Sequence, residues 1–335
     1  MTPGHRGRRT AVLWTAACLT LVAVVVASLA IGSRPIAPNV VWQALTVFDP
    51  SNPDHSVVVT QRVPRTVIGL AAGAALGLAG TMMQGLTRNP LADPGLLGVN
   101  AGASVAVLLA ITVLGAATPE AFVWFAFAGA AAAALLVGAV AGIAGAQPAR
   151  LALTGAAVTA ALTAIVLAVL TSSATTLAVY RYWTVGGLTA RGLDAVALVA
   201  VPLVIGAVIA LGVARGLDLL ALGDDVAAGL GHSATRTRIL GVVASVLLCG
   251  GATAIAGPIV FLGLAVPHLL RPLRGGSYSR LMPLAIPVGA ALLVSADVVG
   301  RLIAPPGEVQ AGVVVAFLGA PLLMLLVLRR RLVTV

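Results

Sequence analysis

Ten apolar segments succeed one another along this chain, and almost no charge interrupts them. They are Ala11–Ile31, Val67–Gly85, Leu96–Ala117, Ala121–Ala146, Leu151–Leu170, Ala195–Ala214, Ile239–Ala256, Ile259–Leu270, Leu281–Gly300 and Val313–Leu328. A bilayer core about 30 Å thick takes roughly 20 helical residues to cross. Nine segments reach or approach that length; the eighth has 12 residues, the length of a buried or re-entrant helix. Charged residues are 9% of the 335 and the mean hydropathy is +1.09, whereas a soluble domain carries about 25% charge. Such a chain cannot clothe a water-facing surface. It reads as an all-α polytopic membrane protein.

All 20 basic residues are arginine, and their distribution decides the parity of the spans. With ten spans and the N-terminus inside, 14 arginines face the cytoplasm: Arg6, Arg8, Arg9, Arg88, Arg150, Arg215, Arg236, Arg238, Arg271, Arg274, Arg280, Arg329, Arg330 and Arg331. Six face outward: Arg34, Arg62, Arg65, Arg181, Arg191 and Arg301. If the eighth segment fails to cross, everything after it inverts and the tally becomes 9 inside and 11 outside. Basic residues concentrate in short cytoplasmic loops. The expectation is therefore ten transmembrane helices with cytoplasmic N- and C-termini, the short eighth sheltered by protein or water. The first segment has the basic flank of a secretory signal, with Ser28-Leu29-Ala30 at the cleavage position. Its 21 apolar residues exceed the usual signal core, so it is expected to stay as a span. No linker divides the chain, and residues 1–335 are taken as one transmembrane domain.

Several chemistries are excluded by composition. Without lysine there is no Walker A phosphate loop, Schiff base or lysine general base. Cys18 and Cys249 lie in apolar runs, which argues against a disulfide framework or a cysteine metal site. His5, His55, His232 and His268 offer no i,i+4 pair, and no metal site is expected. A pI near 11.4 ordinarily points to nucleic acid, but here the arginines sit at span ends and no nucleic-acid partner is expected.

Gly69, Gly73 and Gly77 recur every fourth residue with Gly80 near the same face. Such a row lets a second helix backbone approach, and packing within one subunit is expected over a dimer seam. The interior loop Arg215–Arg238 has two apolar stretches, Leu217–Leu222 and Val226–Leu230, broken by Gly223-Asp224-Asp225. Two short helices at the membrane surface are expected, serving either as a solvated connector or as a docking element. Outside, Asn39–Phe48 reads as a short amphipathic helix, and Tyr180, Tyr182 and Trp183 read as an interface belt. Arg62, Arg65 and Arg301 run against the positive-inside trend, which gives them the choice of binding acidic groups of a partner or snorkelling to phosphates. Asp297 lies four residues before Arg301 on one helix face, and a local ion pair is expected there. No buried acid stands mid-span as in ion-coupled carriers. Nor is there a cluster of polar groups to make an intramembrane enzyme.

Five stretches carry a resemblance to a known family. They are Arg62-Val63-Pro64-Arg65-Thr66 with Gly80 and Gln84, then Arg88-Asn89-Pro90-Leu91-Ala92-Asp93-Pro94-Gly95-Leu96-Leu97-Gly98 with Gly102-Ala103. Next is Gly257-Pro258-Ile259 and Phe261-Leu262-Gly263-Leu264-Ala265-Val266-Pro267-His268 with Arg271. Asp297, Arg301, Glu308 and Gly312 follow, and then Gly319-Ala320-Pro321. In this order and spacing they resemble the FecCD/BtuC-like permeases of ABC importers for iron–siderophores, haem and cobalamin, most of all ferric-enterobactin-type siderophore permeases. Gln310, Ala311 and Gly187 depart from the usual pattern, as do Pro272 and Arg274.

The resemblance implies a type II ABC importer permease fold in the cytoplasmic (plasma or inner) membrane, with ferric siderophore as cargo and haem or cobalamin as alternatives. The chain itself would be no enzyme and hold no cofactor, because ATP and Mg would be bound by two separate ATPase subunits. The other implied partners are a second permease subunit, as a paralogous heterodimer or a homodimer, an extracytoplasmic substrate-binding protein and membrane lipid. Carried over by motif, Arg62, Arg65 and Arg301 would dock the binding protein, and Asn89, Pro90 and Leu91 would form the cytoplasmic gate. Leu217, Leu220, Gly223, Asp224, Asp225, Ala228 and Gly231 would couple to the ATPase. His268 is read as a structural helix-end histidine.

Overall fold

The computed structural model describes residues 3–32, 34–115, 119–142, 148–189, 192–274, 276–305 and 307–330. Arg191 and Arg331 fall outside them. Helix α1 (Pro3–Ala30) leads to two short helices, α2 (Pro38–Thr46) and α3 (Pro53–Val57). A π turn at Val58–Arg62 carries α3 without a break into α4 (Val63–Thr87). After a 3-10 turn at Pro94–Leu97 come α5 (Val99–Leu114), α6 (Pro119–Ala141), α7 (Pro148–Ser172) and the short α8 (Ala174–Thr184). The chain continues through α9 (Leu193–Leu220), α10 (Asp224–Gly229), α11 (Ala234–Ala256), α12 (Leu262–Arg274), α13 (Tyr278–Ile303) and α14 (Ala311–Arg330). Among the described residues there is no strand, as lipid requires of a chain that does not close a barrel.

Among the described residues, seven helices are long and apolar enough to cross a membrane: α1, the α3–α4 run, α6, α7, α9, α11 and α13. The apolar segments assigned to α5 and α12 give helices of 16 and 13 residues. At 1.5 Å per residue, α12 rises about 20 Å, short of a bilayer core. Protein shelters it, because Leu262, Leu264, Val266 and Leu270 are buried. Turn chemistry sets the ends of several helices. Asn52 accepts the Asp54 N–H at 2.9 Å, Ser173 the Thr176 N–H at 3.2 Å and Ser233 the Arg236 N–H at 3.3 Å.

Helix α4 is the hub. A Cβ at Gly73 would stand 2.5 Å from the Gly289 carbonyl and one at Gly77 2.7 Å from the Ala285 carbonyl, both on α13. At Gly80 it would stand 2.0 Å from the carbonyl oxygen of Gly263 on α12. The glycine row therefore packs inside the subunit, backbone on backbone. The segment after α4 is likewise enclosed. Pro94 lies against Gly263, and the Leu96 carbonyl against Gly155 of α7. This irregular stretch meets its own polar needs, with Gly95 N–H on Asp93 Oδ1 at 2.8 Å and Leu96 N–H on the Asp93 carbonyl at 3.0 Å. Non-helical backbone survives between spans where protein covers it.

Two expectations change. Leu217–Leu220 is no separate helix but the last turn of α9, so the loop holds a single short helix, α10. The apolar pattern continued across Arg215, and Leu217 and Leu220 extend the buried face. Nor do Tyr180 and Trp183 form an interface belt. They are buried on α8 with ring centroids 5.9 Å apart, because α8 turns them onto the bundle. The amphipathic segment expected at Asn39–Phe48 is helix α2, burying Val41 and Ala44 and exposing Trp42 and Leu45.

Candidate functional site

Chemistry-bearing side chains gather at the two ends of α4. At the first end, α1, α4 and α13 meet around Asp297. Arg65 donates from Nε to Asp297 Oδ1 and Oδ2 at 3.0 and 2.9 Å, and from Nη2 to Oδ1 at 2.8 Å. Its Nη1 reaches Glu308 Oε2 at 2.5 Å. Arg301 approaches the same carboxylate, donating from Nε to Oδ2 at 3.0 Å and also from Nη2. The expected local pair of Asp297 and Arg301 is thus present, enlarged to a four-membered cluster.

The remaining donors close the C-terminus of α1. Arg301 Nη1 donates to the carbonyls of Ser28 and Ile31 at 2.7 and 3.0 Å, and Nη2 to Ser28 Oγ at 3.0 Å. Arg62 Nη1 donates to the Leu29 carbonyl at 2.6 Å and its Nη2 to the Arg34 carbonyl. The last carbonyls of a helix lack intrahelical donors and carry partial negative charge, so two guanidiniums satisfy them on both counts. Ser28 and Thr66 share a hydroxyl hydrogen bond of 2.8 Å. Arg62, Arg65 and Arg301 are buried. In this structure their donors are engaged within the chain. Arg34, by contrast, is 70% exposed in its 3.3 Å pair with Asp54.

At the other end, Asn89, Pro90 and Leu91 form a tight exposed turn. Asn89 Oδ1 accepts the Leu91 N–H at 2.9 Å, and the Asn89 carbonyl accepts the Ala92 N–H at 3.1 Å. Arg88, in the left-handed region at φ 50°, closes α4 and bonds to Asp224. Arg238 Nη2 donates to the other Asp224 oxygen at 2.6 Å. Arg238 first, then Arg88, hold the Asp224 carboxyl below its ordinary range. The first residue of α10 is thereby tied to both α4 and α11.

Of the residues assigned to coupling, Leu217 and Leu220 are buried in the chain and cannot face a partner. Asp225, Ala228 and Gly231 are exposed, and Gly223 and Asp224 partly so. Beside them Leu222, Val226 and Leu230, which belong to the two apolar stretches read in this loop, are exposed. Sequence reasoning missed Asp218, whose carboxylate caps α13 by accepting the Tyr278 and Ser279 N–H groups at 2.5 and 3.2 Å. A lone acid at the end of an apolar helix was the available signal. His268 donates from Nδ1 to the Leu264 carbonyl one turn back at 2.8 Å, a bond internal to α12. Among the described residues no group of three His, Cys, Asp or Glu side chains could hold a metal.

The motif stretches converge in space: Gly80 on Gly263, Phe261 on Gly319, and Arg65 on Asp297 and Glu308. The profile of the FecCD transport family matches residues 20–329, nearly the whole chain.

The chain belongs to the FecCD transport family.

Its similarity to the ferric enterobactin transport system permease protein FepD of Escherichia coli (strain K12) is 42% identity over 314 residues, covering 93% of each chain. It is 40% identical over 304 residues to the Fe(3+)-citrate import system permease protein YfmD of Bacillus subtilis (strain 168), covering 91% of this chain and 90% of that one. A solved inward-facing conformation of a metal-chelate type ABC transporter superposes with a TM-score of 0.83 at 28% identity, over 95% of this chain and 99% of the other.

Proposed function

We propose that this protein is the membrane-spanning permease subunit of an ATP-driven importer that carries a ferric siderophore across the cytoplasmic membrane. In this reading ten helices cross or enter the bilayer, both termini are cytoplasmic, and two permease subunits, as a paralogous pair or a homodimer, enclose the pathway. ATP and Mg belong to two separate ATPase subunits, and an extracytoplasmic protein delivers the cargo.

The observation that carries the reading is α10. It presents Val226 to the surface, with Leu222 just before it and Leu230 just after it also exposed, while Asp224, at its start, is bonded to Arg88 and Arg238. An apolar ridge braced by ion pairs transmits force better than a loose loop does. A push on α10 passes through Asp224 to Arg88 and the Asn89–Leu91 turn, and through Asp218 at the end of α9 to α13. Helices α4 and α13 move as one body, because glycine contacts join them along their length and the Asp297 cluster joins them at the far end. Closure of an ATPase dimer against α10 would thus rock a rigid α4–α13 pair and alternate access to the pathway.

The outer cluster is the docking region for the delivery protein in this reading. Exposed Arg34 would meet an acidic surface first. Arg65 would follow by exchanging Glu308, a quarter exposed at the cluster edge, for an acid of the partner. Arg62 and Arg301 would hold the platform rigid. Reconstitution with the ATPase and delivery protein tests the cargo, by measuring ligand-stimulated ATP hydrolysis over ferric siderophores, haem and cobalamin. Stimulation by a ferric siderophore is expected, and stimulation by cobalamin or haem alone would overturn the assignment.

A further inference from the structure

A cavity of about 480 Å³ opens between the C-terminal turns of α9 and the start of α11. It is lined by the polar His232, Ser233, Arg236 and buried Thr237 and by the apolar Ile209 and Leu240. His232 Nε2 and Thr237 Oγ1 are hydrogen-bonded at 2.7 Å, and a Cβ at Gly216 would collide with both, 2.6 and 2.7 Å away. Gly216 thus lets this pair sit directly on the α9 backbone. One turn earlier, a Cβ at Gly212 would meet nothing within 4 Å, since it would project into open space. Arg236 is exposed and lines this space. Unlike Arg238, which is bound to Asp224, it has no carboxylate partner among the described residues.

We infer that this cavity binds a phosphate ester, with Arg236 as its counter-ion. The favoured source is the headgroup of an anionic membrane lipid. A guanidinium is suited to phosphate oxygens, and hydroxyl and imidazole groups of the lining supply further polar contacts. The surroundings fit a lipid rather than a bare ion. Val204, Val208 and Gly212 fall at i, i+4 and i+8 on α9, and all three are exposed. On α11, Arg236, Ile239 and Val243 form a second exposed stripe. An acyl chain lying along these stripes would place its headgroup at the cavity mouth, in the interfacial zone where arginine meets lipid phosphate. The site uses neither the Asp224 bonds nor the Asp297 cluster, though Gly231, assigned above to ATPase coupling, also lines it.

Native mass spectrometry of the lipid-stripped, full-length protein in maltoside detergent tests the inference. The probes are dioleoyl phosphatidylglycerol, phosphate-free dioleoylglycerol and soluble sn-glycerol 3-phosphate. Wild type is expected to retain phosphatidylglycerol and not dioleoylglycerol. Arg236→Gln should weaken retention about tenfold, the size of one charge-assisted contact. Gly212→Leu should abolish it by filling the space, and since no atom lies within 4 Å of that Cβ the variant keeps its fold, as a thermal midpoint no lower than that of wild type would confirm. If glycerol 3-phosphate displaces the lipid in an Arg236-dependent way, the phosphate site stands and can be filled from solution. Retention unchanged in both variants, or equal retention of dioleoylglycerol, overturns it.

Discussion

Arg65 on α4 and Asp297 on α13, 232 residues apart in sequence, are joined by three hydrogen bonds of 2.8–3.0 Å in a buried site. The carboxylate also neutralises Arg301, so two buried guanidiniums share it, and among the described residues Glu308 reaches only Arg65. Removing one partner of a buried ion pair costs about 3–5 kcal/mol, because the other charge is stranded. Asp297→Asn should lose at least that much, seen as a thermal midpoint several degrees lower in detergent. Glu308→Gln, at the quarter-exposed edge, should cost about 1 kcal/mol or less. Equal midpoints for the two variants would show that the cluster does not hold the three helices together.

Gly80 and Gly212 predict opposite outcomes for one substitution. At Gly80 an added Cβ lies 2.0 Å from a backbone oxygen of α12, and neither backbone can yield without parting the helices. Gly80→Ala should abolish recovery of folded protein from membranes. Gly212→Ala meets open space, and the gain in helix propensity should stabilise by about 0.5–1 kcal/mol. Size-exclusion profiles and thermal midpoints of the pair decide the matter.

Asp224 predicts loss of coupling with little loss of stability. Its side chain is 44% exposed, so Asp224→Asn should change unfolding free energy by about 1 kcal/mol or less. Ligand stimulation of ATP hydrolysis should nevertheless fall toward the basal rate. The folded-state pKa is depressed below the unfolded value. Its stabilising contribution is therefore complete above the ordinary carboxylate range and lost only as pH falls through the depressed value. Between about pH 5.5 and 8 the ion pair should be insensitive to pH. Ligand stimulation in Asp224→Asn equal to that of wild type at pH 7 would contradict the assignment.

The exposed and buried leucines of the α9–α10 region should separate cleanly. Val226→Asp and Leu230→Asp place charge on the apolar ridge and should reduce ATPase co-purification by about tenfold or more, as for an interface anchor. The isolated chain should remain folded. Leu217→Asp instead buries an unpaired acid and should unfold the protein. A folded Leu217→Asp variant that fails to bind ATPase would restore Leu217 to the docking surface.

What the sequence made legible follows from the range of the forces involved. Apolar length and arginine position are local, so the segments, the helix at Asn39–Phe48 and the spacing of Asp297 and Arg301 could be read directly. The glycine row announced a close contact, while its partners, Gly289, Ala285 and Gly263, lie far along the chain. Pairs such as Arg65 with Glu308 or Arg88 with Asp224 depend on how helices assemble, and no periodicity encodes that. Leu217 and Leu220 were misplaced because an apolar stretch beyond an arginine looks alike whether it starts a new helix or ends an old one. The bonds from Arg62 and Arg301 to the end of α1 could not be read, because a sequence does not show that α1 ends beside them and needs donors.

The central claim is that α10 receives work from ATP hydrolysis and that α4 and α13 convert it into passage of a ferric siderophore. Uptake of radiolabelled ferric siderophore into proteoliposomes containing the permease, ATPase and delivery protein measures this directly. Uptake should require ATP, cease with vanadate, persist with a protonophore, and fall to background in Asp224→Asn. Uptake that survives vanadate but collapses with the protonophore would contradict it.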